Sequence, residues 1–571
     1  MWQQNYEPIG GSLGLSAAVA MIPILVLFVM LGVLRKPAWM AAVSALAVAF
    51  VLALVAYRMP FTLAFMATLN GAAYGVFPIS WIVFASIMLY RLAVETGKFE
   101  IIKDSIGGLT NDRRLQALFI AFSFGAFIEG AAGFGAPVAV SGALLVGLGF
   151  SPFYAAGICL LANTAPVAFG SIGIPVTTLA NVTGLPVLPL SAMVGRLCAM
   201  ISVIIPMYLL LVMVGWRKTM EVLPAVIVCG VSFAGVQLFV SNFMGPELTD
   251  ILSSLSCIFC MVLVLKFWKP KSIYRLEGDQ PATIHVHGHS IPQLLAAWSP
   301  YILLVAFVLV WGHVPFKLKL DQFSHALLPS ALPVAPLPEG AAPKSANLNG
   351  LMVPRLHRMI TRMPPVTNEP SPYPAVYSLN WLSGAGTSCF LACVVAAMLL
   401  RVSPRRFWGV YTATWKQLAK SIFTIAAMLG LAYLMNYSGM TSTLGLALAA
   451  TGKTFPFFSA ILGWLGVFLT GSDTSANALF GNLQVITANQ LQINPVLTAS
   501  ANSAAGVMGK MISLASIAVA CASTGLSSKD EGRLFRFTIK HSIALACVVG
   551  VVAMLLAYVF PGGVPALPPK P

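Results

Sequence analysis

A single carboxylate stands within a long apolar stretch of this sequence. Residues 115–150 contain one ionisable side chain, Glu129, although the stretch is longer than the roughly 20 residues that one membrane-spanning helix requires. Glycine adopts backbone angles that other residues avoid, and proline leaves a carbonyl without its helical partner. Four such residues follow the glutamate: Gly130, Gly133, Gly135 and Pro137. We predict a helix that breaks around Glu129 and resumes at Ala136. Because a broken helix persists in a bilayer only where protein or water satisfies the freed backbone groups, the break is a candidate functional site.

A second set of polar residues lies in the region 421–526. Asp473 follows Gly471, where we expect another helix break, and Lys510 lies farther along the same region. A buried ion pair between these two charges explains them as well as direct function does, since each unpaired charge would cost about 3 kcal/mol at the bilayer centre. Lys510 could instead bind an anion, and Arg196 is a rival for that role unless it only reaches the interface from a helix end. Hydroxyl and amide groups that could contact a ligand, or simply join helices, are Asn163, Thr164, Ser472, Thr474, Ser475, Asn477, Asn502 and Ser503.

The composition of the chain is that of a membrane protein. Of its 571 residues, 58% are hydrophobic and only 9% are charged, and the mean hydropathy is +0.87. Soluble domains carry about 25% charged residues, so a water-exposed globule is excluded. The net charge of +16 does not indicate nucleic-acid binding, because the Lys and Arg residues cluster in short loops between apolar spans, where they orient the chain and contact lipid headgroups. His285, His287 and His289 alternate in one such loop without further ligands, so no metal site is expected.

The order of apolar spans predicts an all-α polytopic membrane protein with about 12–14 transmembrane helices. Basic residues that follow the first span and flank later ones place the two chain termini on the outer side. In the long loop, Arg355, Arg358 and Arg362 recur at helical spacing, which favours an interfacial helix over Leu351–Met363. The expected units are a transmembrane hairpin (1–70), a first repeat with the Glu129 break (71–215), scaffold helices (216–315), a long extracytoplasmic loop (316–380), a scaffold helix with a basic cytoplasmic loop (381–420), a second repeat with the Asp473 break (421–530) and a last transmembrane helix (531–571).

The two breaks belong to stretches that resemble each other. GAFIEGAAGFGAPVAV around Glu129 matches GVFLTGSDTSANALFG around Asp473, and Gly130 aligns with Gly471. The first stretch follows a span that ends at a basic loop, whereas the second follows a span that begins at one, so the copies are predicted to be inverted. Inverted repeats with matching breaks are typical of secondary transporters, which bind their substrate at the repeat interface.

Several motifs resemble those of the bacterial lactate permease family. They are FGAFIEGAAGFGAPVAV, NTAPVAFG, NFMGPELTDI, NYSG, FLTGSDTSANALF and GKMIS. The resemblance implies a proton symporter of the cytoplasmic membrane that takes up lactate and often glycolate, with the co-transported proton in place of a cofactor. Members of this family resemble GKMISPQSIA at this point, whereas this chain has GKMISLASIA. Leu514 and Ala515 therefore depart from the family pattern.

The implied transport assigns roles to the charged residues. Importing an anion against the membrane potential costs about 2.3 kcal/mol per charge per 100 mV, and one co-transported proton cancels that cost. Glu129 is the first candidate for the proton carrier, because burial favours its neutral form, and Asp473 is the second. Sodium coupling and a passive carrier or channel for another small organic anion stay open as alternatives. An enzyme is disfavoured, because no His or Cys constellation offers a nucleophile with its base.

Overall fold

The chain is an all-helical bundle with a small cap of short strands. The computed structural model describes residues 1–133, 135–275, 288–329, 332–334 and 348–567, so His285, His287 and part of the predicted long loop lie outside the described residues. Within those ranges, twelve helices are long and apolar enough to cross a membrane. A further span results if Pro152–Ala162 and Val167–Thr183, bent by 64° at their junction, are counted as one broken crossing. The predicted fold class is therefore confirmed, whereas the inverted relation of the two repeats stays a prediction.

The helices of the first half are short relative to a membrane crossing because several spans are interrupted. A π-helical segment at Val29–Val33 extends the first helix, and those at Gly75–Ser80 and Ala117–Phe124 each join two helices into a longer span. The helices are α1 (Leu13–Phe28), α2 (Ala38–Val55), α3 (Phe61–Tyr74), α4 (Trp81–Glu95), α5 (Lys98–Gly107), α6 (Arg113–Gln116), α7 (Gly125–Ala131), α8 (Ala136–Gly147), α9 (Pro152–Ala162), α10 (Gly170–Thr183), α11 (Val187–Ser202) and α12 (Ile205–Met220).

The second half contains longer helices. Short 3₁₀ segments lie at Val167–Phe169, Ala449–Thr454, Ser528–Asp530 and Pro561–Gly563. The remaining helices are α13 (Leu223–Phe243), α14 (Thr249–Phe267), α15 (Ile291–Gly312), α16 (Val314–Ala326), α17 (Ala385–Leu399), α18 (Pro404–Ser438), α19 (Met440–Leu448), α20 (Phe455–Thr470), α21 (Asp473–Gln490), α22 (Pro495–Lys510), α23 (Leu514–Thr524) and α24 (Glu531–Tyr558).

Five short strands form the cap, where we expected an interfacial helix. They are β1 (Trp2–Gln3), β2 (Gly350–Met352), β3 (Ile360–Arg362), β4 (Ser371–Pro372) and β5 (Val376–Ser378). Strand β3 pairs in parallel with β1 and antiparallel with β4, while β2 pairs antiparallel with β5. The helix predicted over Leu351–Met363 is wrong because Pro354 interrupts it, and Arg355 and Arg358 have left-handed φ angles of 59° and 58°.

Helix α18 begins much earlier than its charge pattern suggested. Residues 404–420, expected to be a basic loop, are helical, because Ser403 accepts a hydrogen bond from the Arg406 amide and Pro404 occupies the first turn. Arg406 also donates to the carbonyl of Glu95, so the start of α18 lies beside the end of α4. We call this end of the bundle the basic face. The opposite end, which carries the strands and the last residues of α18, is the strand face.

A buried arginine fixes the loops between spans. Arg114 is fully buried and pairs with Asp112 and Glu221, both at 2.7 Å, and it also donates to the carbonyls of Lys218 and Ser272. Lys218 and Arg114 hold the pKa of the exposed Glu221 carboxyl below its ordinary value. These contacts connect the start of the span that bears Glu129 to the ends of α12 and α14.

Candidate functional site

The helix that bears Glu129 is broken, as expected, but the break follows the glutamate. Helix α7 ends at Ala131 and α8 begins at Ala136, so Glu129 lies in the last turn of α7. Gly133 and Gly135 have φ angles of 59° and 83°, which non-glycine residues rarely adopt. Pro137 lies in the first turn of α8, where its missing N–H costs nothing.

The second predicted break is also present and exposes two helix ends. Helix α20 ends at Thr470, Gly471 has a left-handed φ of 70°, and α21 begins at Asp473. The Ser472 hydroxyl caps α21 by accepting a hydrogen bond from the Ser475 amide at 3.2 Å. The free amides of the first helical turn favour negative charge at this position.

A left-handed turn in the bent crossing completes the surroundings of Glu129. Ser171, Ile172 and Gly173 have φ angles of 47°, 60° and 70°. Two of these residues are not glycine, so the conformation costs about 1–3 kcal/mol for each and marks a site where other contacts hold the backbone. The Ser171 hydroxyl donates to the carbonyl of Ala132 at 2.9 Å, and thereby satisfies a backbone group beside the first break.

The central contact of the site joins the two halves of the chain. Lys510 Nζ donates to Glu129 Oε1 at 3.1 Å, across 381 residues of sequence. Glu129 is 2% exposed and Lys510 is 8% exposed. Glu129 Oε2 has no hydrogen-bond partner among the described residues. One half of the carboxylate is therefore paired and the other half is open to a proton.

Asp473 does not form the ion pair that its sequence position suggested. Its Oδ2 accepts hydrogen bonds from Ser503 Oγ at 2.6 Å and from Asn477 Nδ2 at 3.3 Å. Of the two alternatives for these charges, the Asp473–Lys510 ion pair is not formed, because neutral donors from α21 and α22 solvate Asp473 while Lys510 reaches across to α7. Asp473 Oδ1 has no partner among the described residues.

The charged groups surround one cavity. Glu129, Asp473 and Lys510 lie on its wall together with the α21 cap and the left-handed turn. The complete lining is Glu129, Val167, Gly170, Ser171, Ile174, Pro175, Gly471, Ser472, Asp473, Thr474 and Lys510. The cavity presents one cation, one half-open carboxylate and a helix N-terminus, a combination that suits a small organic anion and a proton.

Several side chains that were candidates for ligand contacts instead form hydrogen bonds within the protein. Asn477 Nδ2 donates to Ser503 Oγ and to the carbonyl of Pro175, while its Oδ1 accepts from Asn502 Nδ2 at 2.9 Å. Asn502 Oδ1 in turn accepts from Gln484 at 3.0 Å. This hydrogen-bond network positions Asn477 and Ser503, the two donors to Asp473. Asn477, Asn502 and Ser503 are not on the cavity wall.

Three more candidates lie away from the cavity. The Thr164 hydroxyl donates to the carbonyl of Leu161, and Arg196 donates to Asn242 and to the carbonyl of Gly563. Asn163 is buried, and neither polar atom of its side chain has a partner among the described residues, but it does not line the cavity. The structure brings together Glu129, Asp473, Lys510, Ser472 and Thr474, and leaves these three outside.

A second, larger cavity adjoins the site and is lined by residues of α1, α2, α18 and α23. It shares Gly471, Ser472 and Lys510 with the first cavity. We call it the access groove; its other lining residues are Leu27, Leu31, Ala38, Gly135, Ser421, Thr424, Ile425, Met428, Thr470, Ser475, Ala515, Ser516 and Val519. Of the two residues that depart from the family pattern, Ala515 lines this groove, whereas the side chain of Leu514 is exposed.

Sequence reasoning missed two residues next to Glu129. Gly170 packs directly on the glutamate side chain, and Asp250 is buried against Gly130. Gly170 gives no signal in one sequence because many glycines occur in membrane helices. Asp250 did give one: it is acidic and directly precedes an apolar span, which is the position of a first-turn carboxylate, and α14 indeed begins at Thr249.

Known proteins are similar to this sequence over nearly its whole length. A family model described as L-lactate permease matches residues 16–560. The L-lactate permease of Bacillus subtilis (strain 168) is 47% identical, with 99% of this chain and 100% of that protein covered. The glycolate permease GlcA of Escherichia coli (strain K12) is 45% identical, with 98% and 99% covered, and the L-lactate permease of the same strain is 45% identical, with 99% and 100% covered.

A solved structure also shares the fold. Neisseria gonorrhoeae MtrF, described as illuminating a class of antimetabolite efflux pumps, superposes with a TM-score of 0.51 at 11% sequence identity. The superposition covers 93% of this chain and 97% of that chain, so the likeness concerns the architecture of the bundle. The family match and the full-length identities, together with twelve apolar spans among the described residues, lead to one conclusion. The chain is a multi-pass membrane protein that belongs to the L-lactate permease family.

Proposed function

We propose that this protein is a secondary carrier of the bacterial inner membrane that imports lactate, and also glycolate, together with a proton. Relatives named L-lactate permease and glycolate permease support the substrates. One observation supports the coupling: the buried Glu129–Lys510 pair lies on the wall of a cavity, with one glutamate oxygen unpaired. Lactate and glycolate both carry a carboxylate next to a hydroxyl group, which suits a site with one ammonium group and several polar donors.

Competition for Lys510 couples the proton to the substrate. In the structure the Glu129 carboxylate is paired with the Lys510 ammonium group. A proton on Oε2 neutralises Glu129 and weakens its hold on Lys510, because the Coulomb attraction between the two opposite charges is lost and only a hydrogen bond to a neutral carboxyl group is left. The substrate carboxylate then pairs with Lys510, and the amides at the start of α21 add further stabilisation.

The charge of the site decides which loaded states are stable. Lys510 with ionised Glu129 is neutral, and so is Lys510 with the substrate anion and protonated Glu129. Substrate bound without the proton would leave one excess negative charge beside Asp473 in a buried cavity, which is unfavourable. The carrier therefore changes conformation either empty or with both a proton and a substrate bound, and this condition defines symport.

The access groove provides the route for release. It extends from Ala38 at the start of α2 and Ser421 of α18 to Lys510 and Ser472. The strand face is instead covered near the second repeat, where Gln4 donates to the carbonyls of Asn436 and Tyr437 and Tyr437 donates to the carbonyl of Pro374. These contacts correspond to a conformation with the site open toward the basic face, the cytoplasmic side in the proposed orientation.

Uptake by purified protein in vesicles tests the proposal. Labelled lactate is supplied while pH, sodium and voltage gradients are imposed independently. We expect accumulation that follows the pH gradient and does not require sodium, and competition by unlabelled glycolate. Accumulation that requires sodium and ignores pH would contradict proton coupling. Equilibration without accumulation under every gradient would identify a passive pathway.

A further inference from the structure

Asp250 is a buried carboxylate without a counter-ion. It lies in the first turn of α14 and is 1% exposed. Neither of its oxygens has a hydrogen-bond partner among the described residues. An ionised carboxylate in this state would cost several kcal/mol, so a neutral side chain is strongly favoured at this position.

The position of Asp250 connects it to the coupling glutamate. A Cβ built on Gly130 would lie 2.8 Å from Asp250 Cβ and 3.1 Å from the Ile251 amide nitrogen. Helix α7 therefore rests on the first turn of α14 at the residue that follows Glu129. This close approach explains the glycine at position 130, which lies inside α7 and, contrary to the prediction, is not part of the helix break.

Few charges act on Asp250. Helix α14 packs against α7, α10, α13 and the segment Ala117–Phe124, and among these elements only α7 contributes an acidic or basic side chain, Glu129. Lys510 of α22 also acts electrostatically on Asp250, but its ammonium group is paired with Glu129. Glu129, Asp250 and Asp473 all lie within electrostatic reach of this one lysine, so only one of the three can be compensated as an anion. No group of three His, Cys, Asp or Glu side chains that could hold a metal ion occurs in the described ranges.

We propose that Asp250 is a proton relay that loads Glu129. This inference rests on the proposed function. The O–H bond of neutral Asp250 breaks and a new O–H bond forms at Glu129 Oε2, directly or through water, and this releases Lys510 for the substrate carboxylate. The Asp250 anion left behind then takes a proton from water on the side from which the substrate came. The net uptake is one proton per substrate, and the proton resides on Glu129 in the loaded carrier.

A residue that only relays protons affects the rate of uptake. The residue that holds the co-transported proton affects the final accumulation of lactate. Asp250→Asn resembles the neutral acid but carries no transferable proton. We expect pH-driven net uptake of lactate to be slower by about tenfold or more, because proton loading through a positioned side chain is lost. The accumulation finally reached should equal that of the wild type, because Glu129 still binds one proton. Exchange of internal for external lactate should be unchanged, since exchange moves no proton.

The experiment uses the full chain in vesicles, with net uptake and exchange measured on the same preparations. Asp250→Ser provides a second variant without the acid, and Glu247→Gln, which removes a carboxylate three residues earlier, provides the matched control. Wild-type net uptake in both Asp250 variants would overturn the relay, and so would net uptake and exchange that fall in equal proportion. Sodium-driven uptake that disappears with Asp250 would overturn it as well, because Asp250 would then be a cation ligand. An absence of pH-driven accumulation in the wild type would instead contradict the proposed function.

Discussion

The carboxylate of Glu129 occupies the space in which a side chain at Gly170 would lie. A Cβ built on Gly170 would be 2.6 Å from Glu129 Oε1 and 3.1 Å from Glu129 Cγ. Gly170 has φ −60° and ψ 156°, a conformation that any residue adopts. Glycine is therefore required at this position by the contact with Glu129, and its backbone freedom plays no part.

This contact predicts the effect of a single added methyl group. In Gly170→Ala the new methyl should push Oε1 away from Lys510, and transport of lactate should fall by about tenfold or more, because small displacements of a positioned group are costly. Initial rates of uptake and exchange in vesicles measure the effect. Gly235→Ala is the control, since nothing lies within 4 Å of a Cβ at that helical position. Transport of Gly170→Ala at the rate of this control would show that the pair tolerates movement.

The proton carrier is tested by the amide that resembles its protonated form. Glu129→Gln should retain exchange of internal and external lactate, because neutral glutamine leaves Lys510 to the substrate. Accumulation driven by a pH gradient should be lost, because the empty carrier can no longer release and reload a proton. Both activities are compared at equal protein content. If accumulation persists at the wild-type level, Glu129 is not the carrier, and Asp473 is the next carboxylate on the cavity wall.

The anion site is tested at the cation itself. Lys510→Gln should abolish both exchange and net uptake, in contrast to Glu129→Gln, because it removes the partner of the substrate carboxylate. The single variant also leaves Glu129 without its counter-ion, at a cost of about 3–5 kcal/mol. The double variant Glu129→Gln with Lys510→Gln should recover the melting temperature in detergent but not transport. Exchange at the normal rate in either variant would exclude Lys510 from substrate binding.

The amide network behind Asp473 should matter for stability more than for affinity. Asn502→Ala removes the donor to Asn477 Oδ1 and the acceptor of Gln484 Nε2, and leaves buried groups unsatisfied at about 1–3 kcal/mol each. We expect a lower melting temperature, with the KM for lactate unchanged within about twofold. Asn163→Ala is the matched control and should be nearly neutral, because its amide has no partner in the described part of the chain. A large rise in KM for Asn502→Ala at normal stability would return Asn502 to the substrate site.

The sequence predicted the positions where the backbone opens better than the partners of the side chains. Gly133, Gly135 and Gly471 adopt left-handed angles at the two breaks, and helix α8 begins at Ala136 as expected. These features are local, because they follow from the conformational range of glycine and the missing N–H of proline. The sequence of a single chain is therefore enough to predict these helix breaks.

Pairing across the bundle required the folded structure. Lys510 could have paired with Asp473, which is nearer in sequence, but the packing of α22 against α20 and α21 directs the Asn477 amide and the Ser503 hydroxyl to Asp473. Arg196 and Asn163 have suitable chemistry but lie elsewhere. The contact between Gly170 and Glu129 also depends on a bend of 64° between two short helices, which no periodicity in the sequence indicates.

The strand cap has a consequence for how the protein is made. The Gln4 side chain bonds the carbonyls of Asn436 and Tyr437, 432 and 433 positions later in the chain. A ribosome that adds about 5–20 residues per second synthesises those partners about 20 to 90 seconds after Gln4. During that interval the first helices are already inserted while the residues around Trp2 remain uncovered. The cap is therefore completed late in biosynthesis, and substitutions at Gln4 should reduce the amount of mature protein in the membrane more than the transport rate of each molecule.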